Sequence, residues 1–118
     1  MTVKTIKPFI PSGKDFALAK EFFLAIGCTV NWEMEGLAEL QMGEASFILQ
    51  DYENKEVQEN LMLHVPVTDL DLFWADLQAS GALENFAGAR ANPPKVMPWG
   101  NRELHLIDPA GVCWHFAA

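Results

Sequence analysis

Hydrophobic and polar positions follow the same pattern twice along the chain, with an offset of 54 residues between Asp15 and Asp69. Asp15 lies twelve positions before Gly27, and Asp69 lies twelve positions before Gly81. In each copy an extended apolar run comes first, an acidic residue then caps or begins a helix, and a glycine ends that helix. The repeat predicts two units that each open with a strand followed by a helix.

Short strands are predicted after each helix, because alternating segments there are separated by glycine-containing turns. They cover residues 28–34, 37–42 and 45–50 in the first half and residues 95–98, 102–107 and 112–116 in the second. Residues 51–60, which carry five charges and no apolar period, predict a solvated connection, and residues 83–95 predict an irregular segment. The fold class is therefore α+β, with two tandem βαβββ modules, about residues 1–52 and 60–118, whose curved mixed sheets surround a cavity.

The turn Asp108-Pro109-Ala110-Gly111 sets the register of the last hairpin, because it suits a type I turn followed by a left-handed glycine. The register pairs Asp108 with Val112 and therefore His105 with His115. One face then carries Leu104, Leu106, Trp114 and Phe116, which we expect to pack under a helix, and the other carries Glu103, His105, Cys113 and His115.

The strand in NLMLHVPV divides in the same way, with its leucines and valines facing the helices and Met62, His64 and Pro66 on the opposite face. All three histidines are thus predicted to lie on the sheet face that points away from the helices. A face that combines histidine, glutamate, methionine and aromatic side chains is typical of the wall of a binding cavity.

Composition adds limits to this picture, because 118 residues that are 50% hydrophobic suffice for one compact domain over residues 1–118. A net charge of -8 repels nucleic acid and anionic membranes and favours cationic ligands. No signal peptide and no apolar run of membrane-spanning length is found, so we expect a cytoplasmic protein. Cys28 and Cys113 are expected to be reduced thiols.

The tandem βαβββ order, the helix DFALAKEFFLAIG and the terminal segment PWGNRELHLIDPAGVCWHF resemble the glyoxalase / bleomycin resistance / extradiol dioxygenase superfamily, also called vicinal oxygen chelate proteins. The resemblance covers nearly the whole chain. Its most specific motifs, Trp99-Gly100, Arg102-Glu103 and Asp108-Pro109-x-Gly111, look like the end of bleomycin-resistance-type members. The resemblance implies a homodimer, and it implies the fold more directly than the activity, because the superfamily includes both enzymes and drug-binding proteins.

Metal-dependent members of that superfamily place ligands at four cavity-facing positions, which the resemblance assigns here to Pro8, Ile48, Met62 and His115. Three of the four lack a suitable side chain, so we expect no metal and no cofactor at the usual site. His105 and His115, with Cβ atoms about 4.5 to 5.5 Å apart, leave two hypotheses open. One is a different metal site that also uses His64 and Glu103, and the other, which we favour, is a polar rim of hydrogen-bonding histidines.

The remaining candidate residues are aromatic or charged. Arg102 lies at a position on its strand that faces the helices, so we expect it to form a structural ion pair, with a ligand contact as the second hypothesis. Trp74 and Trp114 are expected in the core. Trp32 and Trp99 lie near strand ends, where an exposed ring either stacks on a ligand or seals a dimer.

These observations predict a metal-independent, non-catalytic protein that sequesters a planar or cationic aromatic compound in a cleft at a dimer interface. The alternative is a metal-dependent glyoxalase-type lyase or dioxygenase that uses His64, His105 and His115. The predicted ligand-binding residues are Trp32, Glu39, Ile48, Met62, His64, Trp99, Glu103, His105 and His115.

Overall fold

The computed structural model describes residues 1–118 and contains the two predicted modules in the predicted order. The first module and the segment after it comprise β1 (Phe9–Pro11), α1 (Phe16–Ala25), β2 (Thr29–Met34), β3 (Leu37–Met42), β4 (Ala45–Gln50) and α2 (Lys55–Asn60). The second comprises β5 (Met62–Pro66), α3 (Leu70–Ser80), α4 (Ala82–Asn85), β6 (Arg90–Ala91), β7 (Lys95–Val96), β8 (Arg102–Ile107) and β9 (Cys113–Ala117). The longest helix has 11 residues, and none has the length and apolar character needed to cross a bilayer.

The two long helices begin and end at the residues that the repeat predicts. Asp15 accepts a hydrogen bond from the backbone N–H of Leu18, and Asp69 accepts one from Leu72, each at 3.0 Å. These N-cap bonds satisfy donors that have no partner within the helix. Helix α3 ends at Gly81, whose φ of 73° lies in the left-handed region that glycine adopts without steric cost.

The strands form two sheets of similar topology. The first sheet has the order β1-β4-β3-β2, and the second has the order β5-β9-β8-β6 with β7 also paired to β8. In both sheets the first strand runs parallel to the last strand of its module, and the other pairs are antiparallel. The register of the last hairpin is confirmed, because His105 pairs with His115 and Leu106 pairs with Trp114.

One hydrophobic core joins the helices to the inward faces of both sheets. Phe23 of α1 contacts Phe47 of β4 and Trp114 of β9, with ring centroids 5.0 and 5.4 Å apart. Phe73 of α3 stacks on Phe116 of β9 at 4.1 Å. Because the inward rows are used by this core, the opposite faces of both sheets, which we call the outer faces, are left without a helix to cover them.

Two segments differ from the predictions. Residues 51–60 contain the helix α2 instead of being only a connection, and residues 83–95 contain part of α4 and the short strand β6. Helix α2 is held in place by polar contacts and lacks a periodic row of apolar residues. Asn54 caps it, and the buried Gln58 donates a 2.8 Å hydrogen bond to the carbonyl oxygen of Ala110. Periodicity analysis does not detect a helix that is anchored in this way.

Candidate functional site

The three histidines form a row across the outer face of the second sheet. His105 on β8 pairs with His115 on β9, which in turn pairs with His64 on β5. The rings of His105 and His115 are stacked, with centroids 3.8 Å apart and planes inclined by 19°. His64 is exposed at the edge of this row. The structure therefore brings the three side chains together as the alternation of the strands predicts.

Glu103 lies beneath the row and connects it to Trp99. Its Oε1 is 2.8 Å from Nε2 of His105 and 3.7 Å from Nδ1 of His115, and its Oε2 accepts a 2.9 Å bond from the indole N–H of Trp99. Glu103 is only 4% exposed, whereas Trp99 is 64% exposed. The carboxylate is thus covered by the groups that it binds, and the indole stands above it in solvent.

The electrostatics of this cluster favour a charged Glu103 beside a neutral His115. Hydrogen bonds from His105 and then from Trp99 hold the pKa of Glu103 below its usual value. Burial, followed by the nearby charge on His105, lowers the pKa of His115, although the charge of Glu103 opposes that shift. At neutral pH Glu103 is therefore ionised, and His115 is uncharged.

A similar arrangement occupies the outer face of the first sheet. Glu39 on β3 is 6% exposed and accepts hydrogen bonds from Lys7 Nζ at 2.9 Å and from Asn31 Nδ2 at 2.7 Å. The indole N–H of Trp32 also donates to Glu39, at 3.2 Å. Bonds from Lys7 and then Asn31 lower the pKa of Glu39. Ile48 on β4 pairs with Glu39 and is its apolar neighbour on the adjacent strand.

The best candidate for a metal site is the cluster of Glu103, His105 and His115, because the potential ligand atoms of these side chains all lie within 4.8 Å of one another. An ion bound by two imidazoles lies near the plane of both rings, along their lone pairs. The two rings are stacked, so they would have to turn, and the bond between Glu103 and His105 would have to break. The observed geometry is that of a hydrogen-bonded polar wall.

The nine predicted ligand-binding residues fall into two groups on different sheets. Trp32, Glu39 and Ile48 lie on the first sheet, and the other six lie on the second sheet or in the loop before β8. No hydrogen bond or ion pair joins the groups. Two grooves, of about 370 and 770 Å³, are lined by neither group. In the single chain no helix covers either outer face, because the helices pack on the opposite side of the sheets.

The structural roles predicted for other residues are mostly observed. Arg102 forms an ion pair with Asp71 on α3 at 2.9 Å, and Trp114 is 2% exposed in the core. Trp74 is partly buried and packs against that core. Lys7 and Asn31 were missed as partners of Glu39. Their contact depends on where the N-terminal segment and β2 lie relative to β3, and no motif in the sequence indicates this.

Comparison with solved structures supports the fold. A bleomycin-binding protein complexed with bleomycin matches 98% of this chain over 98% of its own length, with a TM-score of 0.83 and 21% identity. A bleomycin resistance determinant encoded on the transposon Tn5 matches 98% of this chain over 97% of its own, with a TM-score of 0.84 and 20% identity. A bleomycin-binding protein from Streptomyces verticillus, complexed with copper(II)-bleomycin, matches 99% over 98%, with a TM-score of 0.78 and 23% identity.

Proteins described as glyoxalase/bleomycin resistance proteins also match, one from Catenulispora acidiphila with a TM-score of 0.72 and 20% identity over 95% of each chain. No family model matches the sequence, and no curated protein matches it by sequence alone. The structural matches confirm the two-module fold and the resemblance to the glyoxalase / bleomycin resistance / extradiol dioxygenase superfamily at the level of the fold.

Proposed function

We propose that this chain is a metal-independent small-molecule binding protein that sequesters a planar or cationic aromatic compound in a cleft between two protomers, in the cytoplasm. The observation that carries the proposal is the pair of open outer faces, each with an exposed tryptophan above a buried, ionised glutamate. An indole face attracts flat rings and cations. No bond is broken in this mechanism.

The solved structures support the proposal by the ligands that they contain. Two bleomycin-binding proteins with this fold were crystallised with bleomycin or copper(II)-bleomycin. We propose the same general activity, retention of a bulky ligand, for this chain. The net charge of -8 supports a cationic ligand in preference to an anionic one.

The direct test is a fluorescence titration, because Trp32 and Trp99 are exposed and should report a stacked ligand. Bleomycin, planar cations, neutral aromatics and glutathione-like anions would each be added to the purified protein. At least one planar compound is expected to quench the emission and to bind less tightly to Trp32→Phe or Trp99→Phe. Absence of binding across the whole panel would contradict the proposal.

The competing function is a metal-dependent lyase or dioxygenase that uses His64, His105 and His115. The stacked imidazoles and the bond between His105 and Glu103 favour the binding protein over this enzyme. We predict that protein purified from cells grown in metal-supplemented medium contains no stoichiometric metal, as measured by elemental analysis. One tightly held ion per chain that disappears in His105→Ala or His115→Ala would instead support the enzyme.

The cleft requires a second wall, so we predict a homodimer. The N-terminal residues leave Val3 67% and Ile6 85% exposed, and Pro8 and Pro11 stiffen the segment that follows. An exchange of this arm between protomers would bury these side chains. Light scattering at tens of micromolar should give twice the mass of the 13.2 kDa chain. A monomer under these conditions would remove the second wall from the proposed cleft.

A further inference from the structure

The two outer faces share a local arrangement that the sequence repeat alone does not reveal. In each, a glutamate on an inner strand of the sheet, Glu39 on β3 or Glu103 on β8, accepts the indole N–H of an exposed tryptophan. The bonds measure 3.2 Å for Trp32 and 2.9 Å for Trp99. The same pair of side chains therefore occurs independently in both modules.

Both carboxylates have their oxygens engaged inside the protein. Glu39 binds Lys7 and Asn31 in addition to its tryptophan, and Glu103 binds His105. Their exposed fractions are 6% and 4%, against 37% for Trp32 and 64% for Trp99. A ligand on these faces would meet the indole first, and it would reach the carboxylate only by displacing an existing partner.

We propose that Glu39 and Glu103 are positioning residues, which fix the ring planes of Trp32 and Trp99 so that each presents a preset face to an aromatic ligand. The inference rests on the proposed function and specifies how the site selects flat compounds. An exposed indole rotates about two side-chain bonds, and ordering it on binding weakens affinity. A charge-assisted hydrogen bond to a buried, immobile carboxylate removes this freedom before the ligand arrives.

The ring orientation can be tested without any ligand, by NMR of the indole N–H groups of the four tryptophans. In Glu103→Leu we expect the heteronuclear NOE of the Trp99 indole to fall and its N–H resonance to move upfield. In Glu103→Gln the ring should remain ordered, because an amide oxygen still accepts the N–H bond while the amide nitrogen donates to His105. An unchanged Trp99 NOE in Glu103→Leu would overturn the proposal.

Trp114 is an internal control, because its indole N–H donates to Asp108 in the core at 3.0 Å and does not touch Glu103. A loss of order at Trp99 alone separates positioning from a general loosening of the fold. Glu39→Leu, read at Trp32, repeats the test on the other sheet. If Trp114 changes together with the outer indole in both leucine variants, the glutamates stabilise the fold as a whole and the proposal fails.

Binding of ethidium, a planar cation, and carbazole, a neutral planar compound, gives the functional measurement. Glu103→Leu should weaken both by about two- to tenfold, the range expected for ordering one side chain, and Glu103→Gln should weaken neither by more than about twofold. In a Trp99→Phe background Glu103→Leu should have no further effect. If Glu103→Gln weakens ethidium binding as much as Glu103→Leu does, while carbazole binding is unaffected, Glu103 acts as a counter-charge instead of a positioning residue.

The two measurements also separate this inference from the proposed function. If no planar compound binds but the Trp99 indole loses order in Glu103→Leu, the binding function is wrong and the positioning of the ring stands. If ethidium binds and both leucine variants leave their indoles ordered, the binding function stands and the positioning role is wrong.

Discussion

Replacement of Asp108 with alanine is expected to lower the free energy of unfolding by about 3 kcal/mol or more, since each buried donor left without a partner costs about 1 to 3 kcal/mol. Asp108 is 2% exposed. Its carboxylate accepts the backbone N–H groups of Ala110 and Val112, at 2.9 and 3.0 Å, and the indole N–H of Trp114, at 3.0 Å. The side chain therefore ties the last turn to the centre of the core.

Urea denaturation followed by circular dichroism is the measurement, and Asp71→Ala is the matched control. Asp71 also has a charged partner, Arg102 at 2.9 Å, but its side chain is 73% exposed. Exposed pairs contribute about 0 to 1 kcal/mol, so the control should unfold at nearly the wild-type urea concentration. Equal losses in the two variants would show that the Asp108 network does not stabilise the turn.

The Asp108 variant should also change how stability depends on pH. Burial raises the pKa of Asp108 to about 6, even though its hydrogen bonds act in the opposite direction. The usual value in an unfolded chain is about 3.9, so the folded state binds the proton more tightly. The resulting stabilisation is complete below about pH 4 and is lost as the pH rises through about 6. Asp108→Asn should not show this decline.

The sequence predicts the fold well where local rules determine geometry. The Asp108 to Gly111 turn sets the register of the last hairpin, because its loop length and glycine position allow one pairing of the two strands. The alternation of side chains along β5, β8 and β9 places the three histidines on one face of the second sheet. Helix α2 was missed because its stability comes from Asn54 and Gln58, whose contacts depend on the tertiary structure.

The candidate site is less predictable, because the alternation of residues along a strand gives the face on which a side chain lies but not how far that side chain is buried. The sequence predicts Glu103 on the face away from the helices and Glu39 among the ligand-binding residues, but nothing in it indicates that both carboxylates are almost fully covered. Their coverage comes from Lys7, Asn31, Trp99 and the histidines, which approach from other strands and loops. The hydrogen bonds from both indoles to these carboxylates depend on that approach.

Planar cations are expected to bind more tightly than planar anions, because the chain carries a net charge of -8 and the exposed indole faces of Trp32 and Trp99 attract cations. A well-placed ring contributes about 0.5 to 2 kcal/mol through cation–π contact, or roughly two- to thirtyfold in Kd. Binding of ethidium should weaken as salt rises, whereas a purely apolar pocket would keep its ligand or bind it more tightly. Tighter binding of an anion would contradict the assigned chemistry.

Acid should weaken the same complex through protonation of His115. Burial and the charge on His105 lower the pKa of His115, so this ring becomes cationic only at a pH below the usual value of about 6.5. A new charge about 4 Å from a bound cation opposes it by about 1 kcal/mol in a water-like medium, and by more where the site is drier. We therefore expect ethidium affinity to be nearly constant from pH 8 to 7 and to fall about fivefold or more once the pH is far enough below the usual histidine value to protonate His115. His115→Gln, which keeps a polar side chain that does not titrate, should reduce this fall, and carbazole should show none. An ethidium affinity that stays constant from pH 5 to 8 would place the ligand away from the histidines.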